Sequence, residues 1–447
     1  MLTRWLRVVP DSALAEGLAA IRAELSVPGE FPAEALAEAE AAAAKPVEGE
    51  RVELPFITVD PPGARDLDQA LHLARRDDGY RVSYAIADPA YFVAPGGALD
   101  REAHARGATI YMPGGKIPLY PPALSEGAAS LLPDVWRPAV LWTIDLDAAG
   151  EVVAVDVARR VVRSVAQRTY EDVPDDVAPL LREVGGLRLA IERARGGVRL
   201  AVPEQEVVSQ DGGWTVSYRV PNEYEEFNAQ LSLLTGMAAA ARMLDARVGI
   251  LRTQPAPSEK SLARFRLTAA ALGVIWAADV SYPEFVRRLD PSIPAHAAVM
   301  HEASRIGSGA GYTAFDGELP ELTTHWAVAA PYAHATAPLR RLQDRYVSGC
   351  CLGEPDRAAL PELPATMANA GRRAGAVDRA VVDLVEAVLL SGREGERFEG
   401  VVIDDGIVQL RDPAVRAKVS GAPDPGSAVS VRLERADPAT RTVQFAI

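Results

Sequence analysis

Apolar and polar positions change period three times along the chain. The first fifty residues carry apolar side chains at helical spacing in "SALAEGLAAIRAEL", followed by the Ala- and Glu-rich "PAEALAEAEAAAAKP". From Val52 the pattern becomes that of strands. "RVELPFITVD" is an apolar run ending in Asp60, and "ALHLARRDDGYRVSYAIAD" gives two strands joined at "DDG", with Asp88 closing the second. "AVLWTIDLDAAGEVVAVDVARRVVRS" repeats the device with "AAGE" as its turn. From Tyr224 to about Leu272 the period is helical, and "EEFNAQLSLLTGMAAAARML" predicts a long helix with an Ala-rich face. A further helix is expected through "AGRRAGAVDRAVVDLVEAVLL". The final stretch, 393–447, reads as about five short strands between Gly, Pro and Asp turns, the length of a small OB-type barrel. The pattern predicts an α+β protein in three parts: a helical segment at 1–50, a mixed domain at 51–392 and the barrel at 393–447.

Composition narrows the function. The chain has 447 residues, enough for two or three domains, and 48% apolar residues supply a large core. A formal net charge of −14 argues against a uniformly basic nucleic-acid surface but leaves room for a local basic channel. No apolar run reaches membrane-spanning length, and the N-terminus lacks the apolar stretch of a signal peptide. The two cysteines, Cys350 and Cys351, are adjacent and make no disulfide framework, so a cytoplasmic, monomeric protein is expected.

Three stretches carry chemistry. "VDPPGARDLDQAL" places Asp60, Asp66 and Asp68 in one stiff turn, where they repel unless a cation sits between them or water solvates each. Both readings stand at this point, since Asp, Gly and Pro are ordinary turn residues. An all-oxygen cluster suits Mg²⁺ or Mn²⁺, and no Cys or paired His nearby suits zinc. His72 reads as a packing or surface residue. In "HWAVAAPYAHATAPLRRLQDRYVSG", Thr336 is expected to cap a helix with Pro338 in its first turn. Arg340 and Arg341 then fall where the macrodipole disfavours cations, which points to an anion such as a phosphate or to surface acids as partners. His334 reads as a structural histidine. The loop "RGATIYMPGGKIPLYPPALSEGAASLLP" interleaves Tyr111, Lys116 and Tyr120 with Gly and Pro, suited either to stacking a base and holding a phosphate or to packing beneath the loop.

These stretches, with "YAIADPAYFVAPGGALDREAHARG" and "YEEFNAQLSLL", stand in one order across residues 51–392 and together resemble the catalytic RNB domain of the ribonuclease II family. The resemblance implies a processive, divalent-metal-dependent exoribonuclease that degrades single-stranded RNA from the 3′ end to nucleoside 5′-monophosphates. It places Asp60, Asp66 and Asp68 at three of the family's four active-site aspartates, with Gln69 at the fourth metal position. It assigns Arg340 to the scissile phosphate and Tyr111 to the RNA near its 3′ end, while Arg341 and Lys116 are expected as further RNA contacts from the reading of their own stretches. Tyr170 and Glu225 match positions that read ribose and base, and Asp378 falls where the family has a glutamate near the active site. Bacterial members typically carry two cold-shock domains before the catalytic domain, whereas about 50 residues, expected to be helical, precede it in this sequence. The barrel has few aromatics, Phe398 and Phe445, and would follow a backbone through Arg411, Arg416, Lys418, Arg432 and Arg435. Gln69 supports a rival: a neutral amide offers oxygen to Mg²⁺ without the missing charge, as in a non-catalytic RNA-binding protein on the same fold.

Overall fold

The computed structural model describes residues 11–200, 204–210, 212–219, 222–307, 309–421 and 424–447. The first ten residues lie outside it. Helices α1 (Asp11–Glu24) and α2 (Ala33–Ala43) come first. Leu14 and Ile21 of α1 are fully buried in a cluster with Val377, Val381 and Leu384, so this segment shares a core with the far end of the chain.

The mixed domain is built on a closed five-stranded barrel. Its strands are β1 (Arg51–Val59), β2 (Gln69–Arg76) and β3 (Gly79–Ala87), then β6 (Trp136–Leu146) and β7 (Val152–Arg168). Helix α3 (Ala98–Arg106) and the small hairpin β4 (Ile110–Met112) and β5 (Gly115–Ile117) lie between β3 and β6. The expected turns join β2 to β3 and β6 to β7, both antiparallel, with Asp77 in the left-handed region at φ 51°. β1 and β7 close the barrel in parallel. The second half of β3 is buried on both faces, which explains its nearly continuous apolar run Tyr84–Ala87.

Beyond the barrel come α4 (Ala178–Ala194), the hairpin β8 (Glu204–Gln210) and β9 (Gly213–Arg219), and the long helix α5 (Glu223–Ala246). Asn222 caps α5, its side chain accepting from the Tyr224 amide at 2.8 Å. The helical period expected up to Leu272 is broken. Arg247 turns left-handed at φ 55°, and β10 (Val248–Thr253) pairs with β11 (Gly311–Asp316). The β-branched Val248 and Ile250 are buried in that pairing, where packing overrides the local helical pattern. Helices α6 (Glu259–Ala271), α7 (Tyr282–Arg287) and α8 (Pro294–Ile306) form an outlying unit around Phe265, Trp276, Tyr282 and Phe285.

A short hairpin, β12 (Thr324–His325) and β13 (Ala330–Pro331), precedes α9 (Leu342–Leu352) and α10 (Leu363–Leu390). The helix expected from Thr336 starts at Leu342 instead, with no side-chain cap. Its would-be first turn is diverted into other bonds. Arg341 bridges to Ala108, the Thr109 amide donates to the Arg340 carbonyl, and the Leu339 amide is drawn to Asp68. Arg340 and Arg341 therefore precede the helix rather than opposing its dipole. Leu339, Leu342 and Tyr346 are buried, as their spacing requires, and so are Cys350 and Cys351, both free thiols. No described helix is long and apolar enough to cross a membrane.

The C-terminal barrel is closed by β14 (Arg397–Asp404), β15 (Ile407–Leu410), β16 (Arg416–Ser420), β17 (Ala428–Asp437) and β18 (Thr442–Ala446). Their order is β14-β15-β16-β18-β17, with β16 and β18 parallel. Phe398 and Phe445 pack edge to face inside it, so neither is presented for base stacking. Arg432 and Arg435 pair with Glu434 and Asp437 on their own strand, while Arg411 and Lys418 are exposed. Helix α10 joins the barrel to the body through Glu386, whose carboxylate accepts from Gln205 Nε2 at 2.5 Å and the Arg416 amide at 2.9 Å.

Burial pushes the Glu386 carboxyl up to about 8, against the lowering effect of those two donors. Its unfolded value is about 4.3. The folded chain therefore binds the extra proton, and this contribution to stability, complete at low pH, is lost as pH rises through about 8. Glu386→Gln should unfold at a higher temperature than wild type at about pH 9 and gain nothing at about pH 5, as followed by thermal unfolding. A pH-independent difference between the two proteins would contradict this.

Candidate active site

The segment from Asp60 to Asp68, between β1 and β2, is clamped along its length. The Asp60 amide donates to the Arg168 carbonyl at 3.0 Å, and Gln167 Nε2 donates to the Ala64 carbonyl at 2.7 Å. Ser130 holds the middle, its hydroxyl donating to the Arg65 carbonyl at 2.6 Å and accepting from the Leu67 amide at 2.9 Å. The Ala87 amide fixes the end by donating to the Asp68 carbonyl at 2.9 Å. A solvated turn needs no such clamps, and Asp68 is only 4% exposed.

The segment forms one wall of a cavity of about 930 Å³. Asp60, Asp66, Asp68, Gln69, Tyr111, Lys116, Tyr170, Glu225 and Arg340 all line it, drawn from five separate parts of the sequence. Asp68 Oδ1 accepts from the Leu339 amide at 2.7 Å, and Oδ2 faces Arg340 Nε at 3.3 Å. Burial nevertheless raises the Asp68 carboxyl to about 7, outweighing the Arg340 charge and the Leu339 hydrogen bond. Burial likewise raises Asp60 to about 6. Among the described residues, Asp60 Oδ2 is buried with no hydrogen-bond partner. Tyr111 is 55% exposed, an open aromatic face beside the acids, and its hydroxyl donates to Asp66 Oδ2 at 3.3 Å.

Two of the expected residues do not join the cavity. Asp378 lies exposed on α10, and Arg341 turns away to pair with buried Asp344 at 2.8 Å. Two others are there with different partners. Lys116 Nζ sits 2.6 Å from Asp66 Oδ1 and 3.0 Å from Glu126 Oε1, so it holds carboxylates rather than standing open for a phosphate. Gln69 is locked at both ends. Its Nε2 donates to the Thr336 carbonyl at 2.7 Å, and its Oε1 accepts from the hydroxyls of Tyr84 and Ser232. An amide with all three bonds made has no lone pair aimed at an ion, so Gln69 serves as a tie between β2 and the Arg340 segment. His72 packs edge-on to Phe56, and His334 is partly buried with its Nδ1 at 2.8 Å from the Tyr312 hydroxyl, so each is engaged by its neighbours.

Glu126 and Arg219 were not foreseen. Glu126 lies in "LSEGAASLL", where no spacing marks it. Arg219, at the end of β9, lines the cavity and pairs with Glu225. Finding either needs the pairing across the cavity.

The donor chemistry fits a hard divalent cation: oxygens only, two raised carboxyls and one bare buried oxygen on Asp60. Among the described residues, no three acidic, histidine or cysteine side chains converge as a ready-made metal cage. Lys116 and Arg340 occupy the approach to the other two aspartates.

The chain belongs to the RNB-domain family: the model of that domain matches residues 50–349, and that of the RNase II-type exonuclease C-terminal S1 domain matches residues 396–447. Ribonuclease R of Escherichia coli (strain K12) is 26% identical over 390 residues, covering 78% of this chain and 48% of that protein. The exosome complex exonuclease RRP44 homolog A of Arabidopsis thaliana is 29% identical over 331 residues, covering 68% of this chain and 35% of its own length. The chain thus spans about half the length, or less, of these relatives. Among solved structures, Mycoplasma genitalium RNase R in complex with ribose methylated single-stranded RNA superposes with a TM-score of 0.86 at 18% identity, covering 98% of this chain and 78% of that one. Yeast Ssd1, described as a pseudonuclease, superposes at 0.70 with 14% identity, covering 90% and 55%. Both likenesses concern the fold.

Gln69→Glu tests the tie. A carboxylate oxygen would face the Thr336 carbonyl where the amide now donates, and the lost bond with an unpaired acceptor should cost about 1–3 kcal/mol in chemical denaturation. An unchanged midpoint would mean the amide orientation is not what holds this segment.

Proposed function

We propose that the chain is a divalent-metal-dependent exoribonuclease that hydrolyses single-stranded RNA from the 3′ end and releases nucleoside 5′-monophosphates. The observation that carries this reading is the pairing of buried Asp68 with exposed Arg340 in one cavity with the partnerless oxygen of Asp60, on a fold shared with proteins named ribonucleases. Hydrolysis joins a water oxygen to the terminal phosphorus and breaks its bond to the preceding 3′ oxygen, which leaves with a proton. Asp60, with Asp66 and Asp68 as neighbouring carboxylates, would hold a Mg²⁺ or Mn²⁺ ion, which would supply Lewis-acid charge at that phosphate.

The protein groups do the rest. Arg340 is held through Nε by Asp68, which leaves its two Nη groups to grip the phosphate and to neutralise charge as it develops. Tyr111 offers its exposed ring to the terminal base. Tyr170 and Glu225, on the same cavity wall, contact the ribose, where a 2′-hydroxyl distinguishes RNA from DNA. The cationic side chains Arg65, Arg219 and Arg340 on the cavity wall favour entry of a single strand by its end. A second reading, RNA binding without cleavage, is favoured by Gln69, a locked amide at the fourth metal position.

The deciding assay uses 5′-labelled single-stranded RNA with Mg²⁺, Mn²⁺ or EDTA, with products resolved to the nucleotide. Stepwise shortening that stops with EDTA or a blocked 3′ end is expected, as is retained RNA binding but no cleavage in Asp68→Asn. Internal cuts would overturn the exonuclease reading, and binding without products would favour the second one. Arg340→Lys should lower turnover roughly a hundredfold although charge is kept, because lysine cannot reproduce the fork of donors on a phosphate. Turnover near wild type would make Arg340 a point charge only.

A further inference from the structure

We infer that Lys116 is a built-in cation of the active cavity: it takes the place beside Asp66 that a second divalent ion would otherwise fill, so the site loads one ion, at Asp60. This rests on the reading of the site as metal-dependent.

The geometry on both oxygens of Asp66 points this way. Tyr111 and Lys116 are opposite each other in the β4–β5 hairpin. Lys116 Nζ takes Asp66 Oδ1 at 2.6 Å, and the Tyr111 hydroxyl takes Oδ2 at 3.3 Å, so one cross-strand pair engages the whole carboxylate. Glu126 anchors the ammonium from the other side at 3.0 Å. The three charged side chains are 18%, 12% and 27% exposed, so solvent screens the arrangement far less than a surface pair. The remaining candidate ligands are engaged as well. Asp68 binds Leu339 and Arg340, and Gln69 has all three bonds made. Asp60 alone keeps a bare buried oxygen.

Charge balance agrees. The cavity wall has five carboxylates facing four cationic side chains, one formal negative charge in excess. One divalent ion reverses that by a single unit, whereas two would leave three positive charges on the wall before any RNA arrives. Replacing the ammonium with an apolar chain would leave Asp66 and Glu126 face to face, two carboxylates that repel unless a cation joins them.

The test counts Mn²⁺ bound to the full chain without RNA, from the loss of the free-ion signal in electron paramagnetic resonance. Wild type should bind one ion and Lys116→Met one more, with Lys116→Arg unchanged from wild type. Asp66→Asn should leave the wild-type count of one ion as it is, which keeps the inference testable should Lys116→Met fail to fold. Two ions on wild type with a loss in Asp66→Asn would overturn the role of Lys116 alone. An unchanged count in a folded Lys116→Met would do the same. Wild-type protein that binds no ion would overturn this inference together with the metal-dependent reading beneath it.

Discussion

Asp68 joins two segments 271 residues apart in sequence, and the cavity exists because of that joint. A carboxylate taken out of water is costly unless its oxygens are satisfied, and here a backbone amide and a guanidinium satisfy them. The same contact fixes where Arg340 stands. Gln69, the next residue, reaches the Thr336 carbonyl and binds the same two segments a second time. The loop bearing the acids and the turn bearing the arginine thus form one rigid unit. Such a unit holds its groups in place without reorganising when a substrate arrives.

Around this joint the molecule is arranged as support. The parallel pairing of β1 with β7 brings Gln167 and Arg168 under the acidic segment, and Ser130 holds its centre. Helix α5 starts at the cavity rim, where Glu225 meets Arg219 of the preceding hairpin. The C-terminal barrel is attached through Glu386 on α10, through Tyr218 of β9, whose hydroxyl donates to the Leu410 carbonyl at 3.2 Å, and through the pairing of Arg305 on α8 with Asp404.

Much of this was legible in the sequence. Both hairpins of the first barrel, the long helices and the five strands of the last barrel follow their hydrophobic periods, because each buries one stripe or face against a core. The carboxylates and Arg340 could be named, since their residue types and order mark them. What could not be read were features decided by partners distant in sequence. The turn before Leu342 looks helical locally, yet the Leu339 amide is taken by Asp68 and the Arg340 carbonyl by Thr109. Lys116 reads as a phosphate grip until Asp66 and Glu126 are seen beside it. Gln69 reads as a weak metal ligand until Tyr84, Ser232 and Thr336 are found on its amide. β10 was hidden because its pairing partner lies beyond three intervening helices.

The joint at Asp68 also sets a clock. During synthesis the acidic segment leaves the ribosome long before Leu339 and Arg340, and the growing chain has nothing to place against that buried carboxylate. Closure of the first barrel likewise waits for β7. Contacts this remote are paid for in loop entropy before they return any stability, so they form late. A polypeptide still being translated therefore carries the acids without the arginine, and the cavity is assembled only once the segment around Arg340 has emerged.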